Sequence, residues 1–558
     1  MIGVIADAAD RDVVLEFFEL FKTPWEFYRE TQDYDVLLCA DENPGGLAGA
    51  KLTLVYSSRK LAADERSPID IVHPQLGARV LSYGEDRIPI YGNFIGFRGE
   101  FASLLTKEES GECVGYLKRT NDTSFIRIGY DLFSEIRSLL TVGQPPENAG
   151  IPATELHISF LRDMIVACGV SMVEIPPVPD GYQLIACLTH DVDHPSIRKH
   201  KWDHTAAGFL LRAVLGSVLR LFRGRLSAWN VLRNWFAAAK WPLVHFGIAR
   251  DFWNDFDDRY LKLEAGVPST FFVIPRSGYA GRRAEGSAPS MRASAYAAKD
   301  LESTIQRLLA AGCEIGLHGI DAWIDSSAGS DELNEVRGLC GKSEIGVRMH
   351  WLYYNGQTPA LLEKAGASYD STFGYNETTG YRAGTAQAYK PLGAERLLEL
   401  PLHAMDTALF YPSYLALSPS KAAARLHQLT DDVVRHGGCL TINWHDRSLS
   451  PERLWERTYQ DLIEYLIERG AWIATAQQVV AWFRKRRSTT FDPGHAEGLL
   501  VHSEISSGPE RALPGLQLRI RKDESQVKSV RRSANGAEAE AHSLFEGSPL
   551  FDVKRLAI

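Results

Sequence analysis

The sequence predicts an α/β protein: a distorted parallel (β/α) barrel of seven or eight strands, preceded by a smaller α/β domain. Three observations predict it. From residue 181 to about 486, short apolar runs alternate with amphipathic stretches of helical period, seven or eight times over. Five of the sixteen histidines close such runs, His190, His318, His350, His403 and His445. That placement suits a parallel barrel, where chemistry gathers at the C-terminal ends of the strands. Finally, 558 residues are too many for one ordinary core, so two or three domains are expected.

Composition narrows the class. Apolar residues at 45% and charged ones at 23% are those of a soluble globular protein. A net charge of −9 argues against a nucleic-acid partner. The seven cysteines are scattered and form no Cys-x-x-Cys pair, which argues against a disulfide framework or zinc knuckle. The opening MIGVIADAAD has neither the basic start nor the sustained apolar core of a secretory signal, so a cytoplasmic location is expected.

Residues 1–180 read as an accessory α/β domain. Val14, Phe17, Phe18, Phe21 and Trp25 have helical spacing over Asp12–Tyr28, with Pro24 set to end or kink that helix. Strands are expected at 35–40, 51–56, 88–91 and 124–130, and helices at 131–141 and 154–169. The segment has no Gly-rich phosphate loop and no clustered metal ligands. Prolines 145, 146, 176, 177 and 179 punctuate its end.

Residues 181–487 carry the barrel pattern. Leu184–Thr189 reads as a buried strand ending in His190, Asp191, Asp193 and His194. Strand alternation puts Asp191 and Asp193 on one side, where two carboxylates are costly unless a cation or proton lies between them. Further strands are expected at 269–274, 314–318, 346–351, 368–372, 397–403, 439–445 and 471–475. Helices are expected at 297–311, 359–365, 420–436 and 452–469. The last has Ser450 as cap, Pro451 in its first turn and Gly470 behind it.

In this order, the motifs resemble those of the polysaccharide deacetylases, the family 4 carbohydrate esterases of the NodB-homology fold. Thr189-His-Asp-Val-Asp193 stands for the family's Thr-Phe-Asp-Asp, and Ser269-Thr-Phe-Phe-Val273 for its second strand. Glu314-Ile-Gly-Leu-His318 resembles the strand that ends in a metal-binding histidine. Arg348-Met-His-Trp351 resembles the Arg-x-Pro-aromatic motif, and Leu440-Thr-Ile-Asn-Trp-His445 the last motif. The resemblance implies a hydrolase that removes an acetyl group from an N-acetylated sugar with a divalent metal, zinc being expected. It implies Asp191 as catalytic base, Arg348 orienting it, His445 as general acid, and Asp193 and His318 as metal ligands.

The sequence departs from the family twice. One extra residue separates the two carboxylates, and Ala322 stands where the family's second histidine would follow His318. His350 is the favoured third ligand, with Asp321 and His194 as lesser candidates. Members of the superfamily that act on ureides or amides without the usual metal leave a metal-independent C–N hydrolase as an alternative. An inactive glycan-binding protein of envelope polysaccharide assembly is another. For the sugar itself, the Gly- and Tyr-rich stretch 369–384 offers Asp370 and Arg382, and the loop 320–326 offers Trp323. His403 could also line the cleft.

Two regions lie outside that pattern. Within an insertion at about 195–262, residues 206–226 put Arg212, Gly216, Arg220 and Arg223 on one helical face among Leu and Phe. An interfacial helix with arginines on lipid headgroups is one reading, and a helix packed against the barrel or a partner subunit is the other. The membrane reading suits a lipid-linked glycan intermediate at the inner face of a membrane. Residues 488–558 are expected to form a small β-element or to stay partly disordered.

Overall fold

A computed structural model describes residues 1–40, 49–65, 69–75, 79–120, 122–201, 203–222 and 226–492, with the short stretches 499–502, 513–522, 542–544 and 555–556. The chain forms two compact units. One comprises Met1–Gly181, Tyr381–Leu392 and Ala481–Ile558, the other Tyr182–Gly380 and Gly393–Val480. The segment 381–392 and the region beyond 488 therefore belong with the N-terminal residues.

The first unit is built on an eleven-stranded sheet. Ile2–Ile5, Val36–Ala40, Leu52–Tyr56 and Ser124–Ile128 pair in parallel, and the sheet then continues antiparallel. Helix Arg11–Phe21 stops rather than kinks. Lys22 takes a left-handed conformation two residues before Pro24, and Trp25–Phe27 returns as a strand beside Ile2–Ile5. Leu516–Arg521 pairs with Met172–Glu174 and with His542–Leu544, so part of the C-terminal region is β-structure.

The second unit carries a curled, wholly parallel sheet of seven strands. These are β1 (Leu184–Val192), β2 (Thr270–Val273), β3 (Glu314–Gly319), β4 (Val347–Met349), β5 (Ala404–Met405), β6 (Cys439–Asn443) and β7 (Ala471–Ile473). The order is β4-β3-β2-β1-β6-β5, with β7 beside the start of β1. All nine residues of β1 are buried, as a strand covered on both faces requires.

The full strands expected at 368–372 and 397–403 are instead single parallel bridges, Val347 to Asp370 and Asp370 to Glu399. Side chains take the groups a ladder would use: Ser371 Oγ donates to the Leu400 carbonyl, and Arg348 Nε to that of Ser371. Pro401 has no N–H to offer. The last expected helix also begins late, at Glu456, without a side-chain cap. Leu454 sits at φ +58, which breaks the helical run and leaves 450–455 as turns that carry Glu452 and Arg453 inward.

The insertion folds as helices His204–Leu210, Ser217–Phe222 and Ala228–His245, the first two joined by a π-helical turn over Leu211–Gly216. Phe209, Ala213, Trp241 and Val244 pack inward against Phe252 and Trp253. Arg212 and Arg220 lie half-buried, while Leu211, Leu215, Leu219 and Phe222 are exposed. Arg223 is outside the described residues. Arg212 and Arg220 are thus less exposed than these Leu and Phe side chains, so one apolar face packs inward and a second meets solvent.

Candidate functional site

The site is assembled at the C-terminal ends of β1, β3, β4 and β6. Alternation along β1 sends His190 to one side, where Nδ1 donates to the Trp444 carbonyl at 2.7 Å and Nε2 meets Glu264 at 2.8 Å. Asp191 and Asp193 go to the other side and line a cavity of about 460 Å³, together with His318, His350 and His445.

Asp191 is held on both oxygens. Arg348 Nη1 donates to Oδ1 at 3.1 Å, and Asn443 Nδ2 to Oδ2 at 2.8 Å, while the Asp191 amide donates to Asn443 Oδ1 at 3.0 Å. Arg348 is buried, stacks over Phe272, and also donates to Thr189 Oγ1 and Ser371 Oγ. Its planar fork therefore fixes the carboxylate's orientation.

Asp193 Oδ1 stands 3.4 Å from His318 Nε2 and 3.6 Å from His350 Nε2, and is buried without a hydrogen-bond partner. Burial alone would raise its pKa, yet the three neighbouring imidazoles His318, His350 and His445 hold it well below the ordinary carboxylate value. His318 Nδ1 donates to the Arg348 carbonyl at 3.0 Å, which fixes the ring with Nε2 toward Asp193. Burial lowers the His350 pKa well below the ordinary histidine value, against the pull of Asp193. Ligand atoms of Asp193, His318 and His350 all lie within 4.8 Å of one another.

This set fits a divalent cation. A buried carboxylate oxygen without a donor is costly unless a positive charge meets it, and the imidazoles of His318 and His350 beside it complete three ligands. Of the lesser candidates, Asp321 is engaged by Tyr279 and Arg282 at 2.6 and 2.8 Å, and His194 Nδ1 faces His200 Nε2 at 3.2 Å. The His350 segment is strained, since Trp351 and Leu352 both lie at positive φ (63° and 52°). Arg292 holds it in place by donating to the carbonyls of both Ile320 and His350.

His445 Nε2 faces Asp193 Oδ2 at 3.9 Å, and its Nδ1 donates to Asp406 Oδ1 at 2.6 Å. Asp406 also accepts from the His445 amide and from Ser448 Oγ. Burial would lower the His445 pKa, but Asp406, Asp193 and Asp191 push it up to about 10. It is a protonated donor aimed into the cavity.

Asp370 and Trp323, expected from sequence as substrate residues, do not line this cavity. Asp370 is buried among strand ends, accepts from Thr372 Oγ1, and is raised to about 6 by burial. Trp323 is buried edge-on to Tyr353, and Arg382 belongs to the first unit. His403 is buried between strands, its Nδ1 accepting from the Thr441 amide. Asn443 and Asp406 were not singled out from sequence. Asn443 lies two positions before His445 on the same strand side, a usable signal, whereas Asp406 opens the short helix Asp406–Phe410, 39 residues away in the chain.

No family model and no curated protein matches the chain. Among solved structures, it is similar to a Mycobacterium smegmatis protein named as a polysaccharide deacetylase, at 20% identity over 56% of this chain and 95% of that one, TM-score 0.34. A Pseudomonas aeruginosa PAO1 protein of the same designation aligns at 15% identity over 56% and 94%, TM-score 0.35. The Puue allantoinase aligns at 16% over 55% and 91%, TM-score 0.32. At such TM-scores these are likenesses only, and the chemistry rests on the geometry of the site.

Proposed function

We propose that this chain is a metal-dependent hydrolase that removes the acetyl group from an N-acetylated sugar, as the resemblance to polysaccharide deacetylases implies. The observation that carries the proposal is one cavity holding a three-ligand site, an oriented carboxylate and a protonated histidine. A divalent cation, zinc by donor type, would be held by Asp193, His318 and His350 and would supply Lewis acidity toward the amide carbonyl and water. Asp191, oriented by Arg348 and Asn443, takes the proton of the attacking water. His445, charged through Asp406, gives its proton to the departing amine. The orphan Asp193 oxygen favours this reading over a metal-free hydrolase, and the intact acid and base favour it over an inactive binding protein.

The test is acetate release from N-acetylated sugars by protein loaded with zinc, beside protein stripped with chelator. Release that needs the metal supports the proposal. No release from any N-acetylated sugar, with metal bound, overturns it.

The proposed location is the cytoplasm, at the inner face of a membrane, on a lipid-linked glycan intermediate. Support comes from the insertion. Between His204 and Arg250 the sequence has seven Lys or Arg and no Asp or Glu. The described helices there expose Leu215, Phe222 (84%), Trp229, Trp235, Phe236 and Phe246 (80%). Apolar and tryptophan side chains on a stretch whose own charges are all positive match an anionic lipid surface. The protein should co-sediment with phosphatidylglycerol vesicles, and Phe222→Asp with Phe236→Asp should abolish this. Equal recovery of both proteins in the supernatant would remove the membrane from the proposal.

A further inference from the structure

The same cavity has a cationic part that the hydrolytic chemistry does not use. Arg447 and Arg453 both line it and are only 8% and 4% exposed. Arg453 Nη2 donates to Tyr411 Oη at 2.7 Å, but its Nε and Nη1, and Nη1 of Arg447, are buried with no hydrogen-bond partner among the described residues. Neither guanidinium forms an ion pair among the described residues. The carboxylates around them are committed or outnumbered. Asp406 serves His445 and Ser448, and Asp446 accepts from the His194 and Arg447 amides. Glu452 is left as one buried carboxylate acting on Arg447, Arg453 and, from the insertion, Arg212.

A buried charge with open donors is costly unless a partner meets it, and an arginine fork matches the paired oxygens of a phosphate. Aromatic faces hold both forks in place: Arg447 lies 4.7 Å over Trp253, and Arg453 5.4 Å over Tyr411. We infer that Arg447 and Arg453 form an anion subsite that binds a phosphate or diphosphate group on the N-acylated sugar substrate. The sugar's identity rests on the hydrolase reading above, whereas the anion subsite stands on its own residues. A phosphate here is the group a free sugar phosphate and a lipid-linked sugar share.

The probe is inorganic pyrophosphate, titrated calorimetrically into the full-length, zinc-loaded protein, into His318→Ala, and into Arg447→Gln and Arg453→Gln. Binding in wild type and in His318→Ala, weakened about 10- to 100-fold in each arginine variant, is the expected result. Binding lost in His318→Ala yet unchanged in the arginine variants would place the anion on the metal and overturn the inference, as would no binding in wild type. Arg447→Lys and Arg453→Lys keep the charge but not the fork. They should retain bound zinc, as evidence of folding, and still bind pyrophosphate less tightly than wild type. Zinc retained with unchanged affinity would refute a fork-specific subsite. Deacetylation of N-acetylglucosamine 1-phosphate, with KM lower than for N-acetylglucosamine in wild type and equal in Arg453→Gln, would tie the subsite to substrate. If dodecyl diphosphate-linked N-acetylglucosamine lowers KM further, the lipid-linked form is the source. If acetate release fails throughout while pyrophosphate still binds through the arginines, the reaction falls and the subsite stands.

Discussion

Purified His318→Ala protein should contain no zinc and release no acetate above the uncatalysed rate. Three protein ligands are the minimum for a catalytic zinc site that keeps a position open, and His318 is the best fixed of the three. Its Nδ1 is tied to the Arg348 carbonyl, so the same arginine that orients Asp191 also sets the ring that faces Asp193. His350→Ala should also lose metal, with affinity lowered at least as much as the roughly 10- to 100-fold that loss of a supporting hydrogen bond costs. The His350 Nδ1 has no partner, so that ring is held by its strained backbone and by Arg292 rather than through its own second nitrogen. About one equivalent of zinc in wild type, lost in both variants and measured by atomic emission, is the expected outcome. Metal lost only in His318→Ala would make water the third ligand. No zinc in wild type after supplementation would sink the metal mechanism.

His445→Ala should lower kcat by about 10²–10⁴-fold while zinc content stays at the wild-type level. The companion Asp406→Asn tests how the histidine is kept charged. Burial works against the imidazolium, and Asp406 is the foremost of the carboxylates that overcome it and raise the pKa to about 10. The active form is the protonated one, so activity is present below that pKa and lost as pH rises through it. A cation at Asp193 offsets part of the pull, which places the limb of the loaded enzyme below 10. Removing the Asp406 charge moves the limb further toward acid, by one unit for each 1.4 kcal/mol or so of lost interaction. A basic limb of kcat/KM unchanged in Asp406→Asn would show that His445 is not the group being titrated.

The paired carboxylates of β1 were legible because strand period is a local property. Once Leu184–Thr189 is a buried strand, Asp191 and Asp193 must share a side and His190 must not. The ends of β3, β4 and β6 were legible for the same reason, since each apolar run stops at the residue that faces the cavity. Loop residues behaved differently. Asp370 and Arg382 look alike as polar members of one Gly- and Tyr-rich stretch, yet one is buried among strand ends and the other lies in the first unit. No periodicity distinguishes them.

By itself, the sequence determined the α/β class, the parallel strand–helix alternation and the set of histidines and carboxylates at the strand ends. Those follow from spacing along a single chain segment. The tertiary structure alone decided that His350 rather than Asp321 or His194 joins Asp193 and His318, because Arg282 and Tyr279 claim Asp321 and His200 faces His194. It also decided that Asp406 charges His445, that Arg447 and Arg453 line the cavity with buried, unpaired donors, and that the insertion exposes a second apolar face. Each of these depends on side chains from segments distant in sequence competing for the same partner, and such competition exists only once the strands are packed.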